Sequence, residues 1–158
     1  MARFTCAFSE VSVTLEQDLF ELLAPTDAAA ILISARFGQQ TDQGDASAEM
    51  LPIEFIVGKG TVTAGSGGSA GVEEPLEGVT AAGGVVLLNN TTRMVVGTGS
   101  LHTMLADAWN IQIGYLYQPV PEERIIVSPG NRVTVAIAAA PGSAISMSGT
   151  IVWDEVGG

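Results

Sequence analysis

Two β-type runs flank a Pro-Gly pair in the last third of the chain, and no other stretch constrains the fold as strongly. Val133, Val135 and Ile137 alternate with Arg132, Thr134 and Ala136. Beyond Pro141-Gly142, the residues Met147, Gly149, Ile151 and Trp153 alternate with Ser148, Thr150, Val152 and Asp154. A period of two gives each run one apolar face, so the segment reads as a terminal β-hairpin. Similar runs recur along the chain: 3–13, 18–24, 30–38, 48–57, 84–89, 108–117, 124–127, 132–138 and 147–156. Eight or nine strands with turn signals between them predict an all-β, antiparallel β-sandwich with long glycine-rich loops.

Thr14 to Leu23 is the one ambiguous run, because Thr14 and Gln17 have the spacing of a helix capping box. Alternation of Leu19, Glu21 and Leu23 with Phe20 and Leu22 favours a strand, with 14–17 as its turn. Ala24-Pro25 and Ala140-Pro141 both separate two β-type runs, a faint internal echo that reads as two hairpins of one design. A short helical turn capped by Ser100 is expected within 97–107.

At 158 residues the chain is one domain (1–158) by length and can bury a proper core without covalent staples. Its single cysteine, Cys6, allows no intramolecular disulfide and no cysteine-based zinc site, and reads as a small buried hydrophobe. No apolar run approaches the length of a bilayer span and the first residues lack the apolar core of a secretory signal, so production in the cytosol and no membrane contact are expected. Seventeen acids against six bases give a net charge of −11, which repels phosphate backbones and argues against nucleic acid.

Residues 58–84 form the one long irregular stretch, expected as a flexible loop or an arm that orders on a neighbouring subunit. Gly65, Ser66, Gly67 and Gly68 at its centre are candidate contacts. Arg93 is another. Pro119 and Pro121 stiffen the segment leading to Arg124, which reads as a rigid rim whose arginine reaches a carboxylate on a neighbour.

The polar clusters point away from catalysis, cofactors and metals. His102, the only histidine, is the only centre for a Ser-His-Asp triad, but Gly65-Ser-Gly-Gly-Ser has no helix behind it to form a nucleophile elbow. His102 therefore reads as a loop residue. Asp42, Asp45 and Glu49 group around Gly44 but lack the alternating ligand spacing of a calcium loop, and read as an acidic connection. Trp109, Ile111, Ile113, Tyr115 and Tyr117 share one parity and are expected on one core face rather than as a sugar platform.

Several stretches together carry a resemblance: Asp18-Leu-Phe-Glu-Leu-Leu-Ala-Pro25, Ile31-Leu-Ile-Ser-Ala-Arg-Phe-Gly-Gln39, Asn89-Asn-Thr-Thr92, Pro119-Val-Pro-Glu-Glu-Arg124, and Val127-Ser-Pro-Gly-Asn-Arg-Val133 through Met147 to Glu155. The overall pattern, spanning most of the chain, resembles the jelly-roll decoration or cement proteins of tailed-phage heads. The resemblance implies a non-enzymatic virion protein on the capsid exterior, with the major capsid protein as partner, no cofactor, and self-association into a dimer or trimer. The rival reading is a carbohydrate- or receptor-binding β-sandwich of a fibre or tail, which requires an exposed aromatic or polar pocket.

Overall fold

The computed structural model of the chain describes residues 1–41, 48–78 and 80–157. Fourteen strands follow in chain order: β1 (Ala2–Val13), β2 (Gln17–Leu23), β3 (Ala28–Gln39), β4 (Met50–Lys59), β5 (Val62–Thr63), β6 (Ser69–Ala70), β7 (Glu74–Pro75), β8 (Val85–Asn90), β9 (Val95–Val96), β10 (Ser100–Asn110), β11 (Tyr115–Tyr117), β12 (Ile126–Val127), β13 (Arg132–Ile137) and β14 (Ile145–Gly157). A single 3-10 turn, Pro121–Glu123, interrupts them. All pairings are antiparallel.

Two large sheets result. The first runs β11-β3-β14-β1-β7, with β12 also on β3; the second runs β10-β4-β13-β2-β8-β6, and β5 and β9 form a small third pair. Alternation explains how the large sheets meet. Phe4, Cys6 and Phe8 of β1, Ile145, Met147, Ile151 and Trp153 of β14, Leu51, Ile53, Phe55 and Val57 of β4, and Val133, Val135 and Ile137 of β13 are all buried in one cluster. Phe8 meets Phe20 at 5.1 Å, Phe37 meets Trp109 edge-on at 5.3 Å, and Phe55 meets Tyr117 at 4.5 Å, each pair joining a residue of one sheet to one of the other. Gly149 sits among these rings: a Cβ there would lie 2.9 Å from Phe8 and 3.1 Å from both Phe20 and Phe37. In β1 a bulge between Phe8 and Val11, with Glu10 at φ 57°, shifts the alternation so that Val13 still points inward.

The terminal hairpin does not form. β13 lies in the second sheet between β2 and β4, whereas β14 lies in the first between β1 and β3, so the Pro141-Gly142 connection crosses from one sheet to the other. The Ala24-Pro25 connection does the same between β2 and β3. The echo is therefore of two sheet-to-sheet crossings, not two hairpins. Alternation reports that a strand has one buried face and is silent on whether its successor lies beside it or opposite it.

Residues 100–110 form an eleven-residue strand where a capped helical turn and irregular chain were expected. The expected strand 108–117 is instead broken at 111–114, so the shared parity fails: Trp109 and Ile111 are buried, Ile113 is exposed, and Tyr115 and Tyr117 are half-buried.

Candidate functional site

The stretch expected as a free arm is a strap laid on the outer face of the second sheet. The ladder partners Thr134↔Glu21 and Ala136↔Asp18 put two carboxylates of β2 on that outer face. Both are buried all the same, at 0% and 1% exposure, because Gly65 and the stretch from Asn90 to Met94 cover them. Gly65 N donates to Glu21 Oε2 at 2.8 Å, Asn90 Nδ2 donates to the same oxygen at 3.1 Å, and Arg132 donates to Oε1 at 2.7 Å. Met94 N donates to Asp18 Oδ2 at 2.7 Å. A reciprocal backbone bridge between Ser66 and Thr92, together with β6 on β8, holds the strap in place.

Glycine is required here by close approach. A Cβ on Gly65 would lie 2.7 Å from Asn90 Nδ2 and Thr92 O, and one on Gly68 would run into the backbone of Leu88 and Asn89. Gly71 passes over Cys6, where a Cβ would meet the sulfur at 2.5 Å. Cys6 is buried beneath it, and burial pushes its thiol up to about 11, which keeps it protonated and inert.

Arg93 spans the same outer face. It donates to Glu54 at 2.9 Å and to Asp18 at 3.3 Å, and its Nη1 lies 3.7 Å from Glu16. Burial raises the Asp18 carboxyl to about 6 even though Met94 N and Arg93 stabilise its charged form. Of the candidate contacts, Gly65, Ser66, Gly67, Gly68 and Arg93 thus gather at the strap, where Gly65 is buried and Arg93 is occupied by the chain's own carboxylates.

Pro119, Pro121 and Arg124 belong to a second place, the flank where β11 and β12 approach β10. Met104, Leu105, Tyr117, Pro119, Glu123 and Ile125 line a groove of about 250 Å³ there. Arg124 is half-buried with its Nε turned inward and no hydrogen-bond partner among the described residues. Around this flank Leu101, Met104, Leu116, Val120 and Ile126 stand exposed. Sequence reading missed the flank because residues 97–107 were not recognised as a strand: the bulge at Met104 puts Leu101 and Thr103 on the opposite face from Leu105, so no apolar alternation runs through the segment.

His102 lies on β10, exposed, with Ser100 Oγ 2.9 Å from its Nε2. It is a strand residue, not a loop one. Asp107, on the same strand, accepts from Tyr115 Oη at 3.2 Å and from Ala108 N at 2.7 Å. Burial, then Asp107, raises the Tyr115 phenol and keeps it protonated. Trp109 and Trp153 are buried at 1% and 0% exposure, so neither offers a stacking face.

Asp42 and Asp45 lie outside the described residues; Glu49 takes Gly142 N on both oxygens, at 2.9 and 3.0 Å. Among the described residues no group of three His, Cys, Asp or Glu side chains is placed to hold a metal ion, and no helix is long and apolar enough to cross a membrane. Comparison with protein-family models, curated proteins and solved structures finds no match to this chain.

Proposed function

We propose that this chain is a jelly-roll β-sandwich with a non-enzymatic structural role, a capsid decoration or cement protein that binds the outer surface of a phage head and stabilises contacts between capsid subunits. The strand order supports the jelly-roll reading. β1-β14-β3-β11 faces β2-β13-β4-β10, the chain changes sheet at each step from β1 to β4, and its first and last strands are neighbours. Two Greek keys wound together give this order. On that reading β6 and β8 extend one sheet, and β5, β7, β9 and β12 are additions to the eight-stranded frame.

The observation that carries the functional reading is the apolar flank at β10 to β12. A protein that grips a shell in dilute surroundings needs contacts that salt does not screen, and exposed apolar side chains provide them. Rigid Pro119 and Pro121 next to the groove lower the ordering cost of such a contact. Engagement of several capsid subunits at once multiplies a modest single-site affinity. The rival sugar-binding reading requires an exposed aromatic or polar pocket, and the burial of both tryptophans counts against it.

The test is co-sedimentation of the purified chain with heads that lack it, wild type against Met104→Glu and Val120→Glu. Saturable binding that these exposed substitutions abolish without unfolding the chain is the expected outcome; binding that ignores both refutes the flank, and no binding refutes the shell reading.

A further inference from the structure

We propose that β10 pairs with β10 of a second copy, forming an antiparallel dimer about a two-fold axis at Leu105. This inference stands on the strand itself and is independent of the shell reading. β10 ends the second sheet and pairs only with β4. Every other edge of the large sheets is held by a strand of two or three residues, β6, β7, β11 or β12, the usual way of blunting an edge. β10 runs for eleven, carries no proline or lysine, and is exposed on both faces from Leu101 to Met104 and again from Ala106 to Ala108.

The pattern of β10 is complementary to itself. Its ladder with β4 sets His102 opposite Val57, Thr103 opposite Ile56, Leu105 opposite Phe55, Ala106 opposite Glu54 and Asp107 opposite Ile53, with Met104 bulged out. Without the bulge His102 and Asp107, five residues apart, would point to opposite faces. With it, both share the face of Val57 and Ile53, and both lie two ladder steps from Leu105.

A second copy related by the axis through Leu105 therefore sets His102 opposite the partner's Asp107, and the reciprocal pair forms on the other side. Leu105 meets the partner's Leu105, Thr103 the partner's Ala106, and Leu101 the partner's Ala108. The strand's only acid and its only histidine face each other twice. When Ser100 Oγ donates to Nε2, the imidazole proton is on Nδ1 and is free to donate to that carboxylate. Met104 adjoins the axis in each copy, so the two bulges flank the Leu105 pair symmetrically and leave the alternation beyond them in register. β-strand addition supplies the main-chain bonds, and the reciprocal His102–Asp107 hydrogen bonds choose a second copy over an unrelated strand.

Sedimentation velocity from about 1 to 100 μM, a range spanning ordinary subunit affinities, is expected to show a monomer–dimer equilibrium. His102→Glu sets like charges opposite each other twice and is expected to weaken the dimer about tenfold, given roughly 0.2–1 kcal/mol for each exposed cross-strand charge pair. Asp107→Lys does the same, and the double variant, with charges exchanged, is expected to recover affinity to within about threefold on the same scale. As an independent readout, a Thr103→Cys copy mixed with an Ala106→Cys copy is expected to form an intermolecular disulfide. A monomer throughout the range overturns the proposal. So does a dimer indifferent to all three charge variants with no cross-link, which would place its interface elsewhere.

Discussion

The outer face of β2 carries two carboxylates on a strand that is otherwise core, and their burial sets the chain's most unusual energetics. Asp18 binds its proton at about 6 in the folded state, against about 3.9 for an ordinary aspartate. The folded chain therefore takes up that proton more readily than the unfolded chain. Asp18 destabilises the fold above about pH 6, and this destabilisation is relieved as pH falls toward 4. Denaturant melts across pH 4–7 are expected to show a rise in stability toward acid in the wild type that is absent in Asp18→Asn. Equal slopes would mean that Arg93 and Met94 N fully offset the burial. Arg93→Ala leaves Asp18 buried without its cation and is expected to cost about 3 kcal/mol; an equilibrium unfolding curve within experimental error of wild type would contradict the cluster's role. None of this was legible residue by residue. Gln17, Asp18 and Glu21 stand out as polar positions in an apolar strand, but the partners that satisfy them, Gly65, Asn89, Asn90, Arg93 and Arg132, lie 44 to 111 residues away.

Most strands were legible in the sequence because their alternation is strong, as in β1, β4, β13 and β14. Two elements were not. β10 was hidden by its own exposure: with both faces open over much of its length it has no apolar period to detect, and the bulge at Met104 breaks what alternation remains. The strap over 61–71 was misjudged because glycine-rich composition has two physical meanings, freedom in solution and close approach to another surface. Gly65 and Gly68 are there for the second. Their substitution by alanine is expected to loosen the strap and speed amide exchange at Ser66 and Gly71, whose N–H groups bond to Thr92 and Val86; slow exchange persisting at both amides would contradict it. Deletion of 66–71 is expected to destabilise the whole chain, not merely its contacts, since it removes the Ser66–Thr92 bridge that anchors the strap and uncovers Cys6.

At the scale of the molecule, sequence reading reached two packed antiparallel sheets but not which strand joins which. Arg132–Ile137 and Ile145–Gly157 satisfy a hairpin and a sheet-to-sheet crossing equally well by pattern, and the order of β13 and β14 among their neighbours distinguishes them. That order makes the chain wind repeatedly between layers and leaves Leu101, Met104, Leu116, Val120 and Ile126 exposed on the β10 to β12 flank. On the proposed reading the molecule works through contact. The most direct test is quantitative mass spectrometry of purified phage particles, comparing copies of this chain with copies of the major shell protein. Comparable numbers are expected. A few copies per particle would place the chain on a tail or fibre, and its absence from particles would contradict the account.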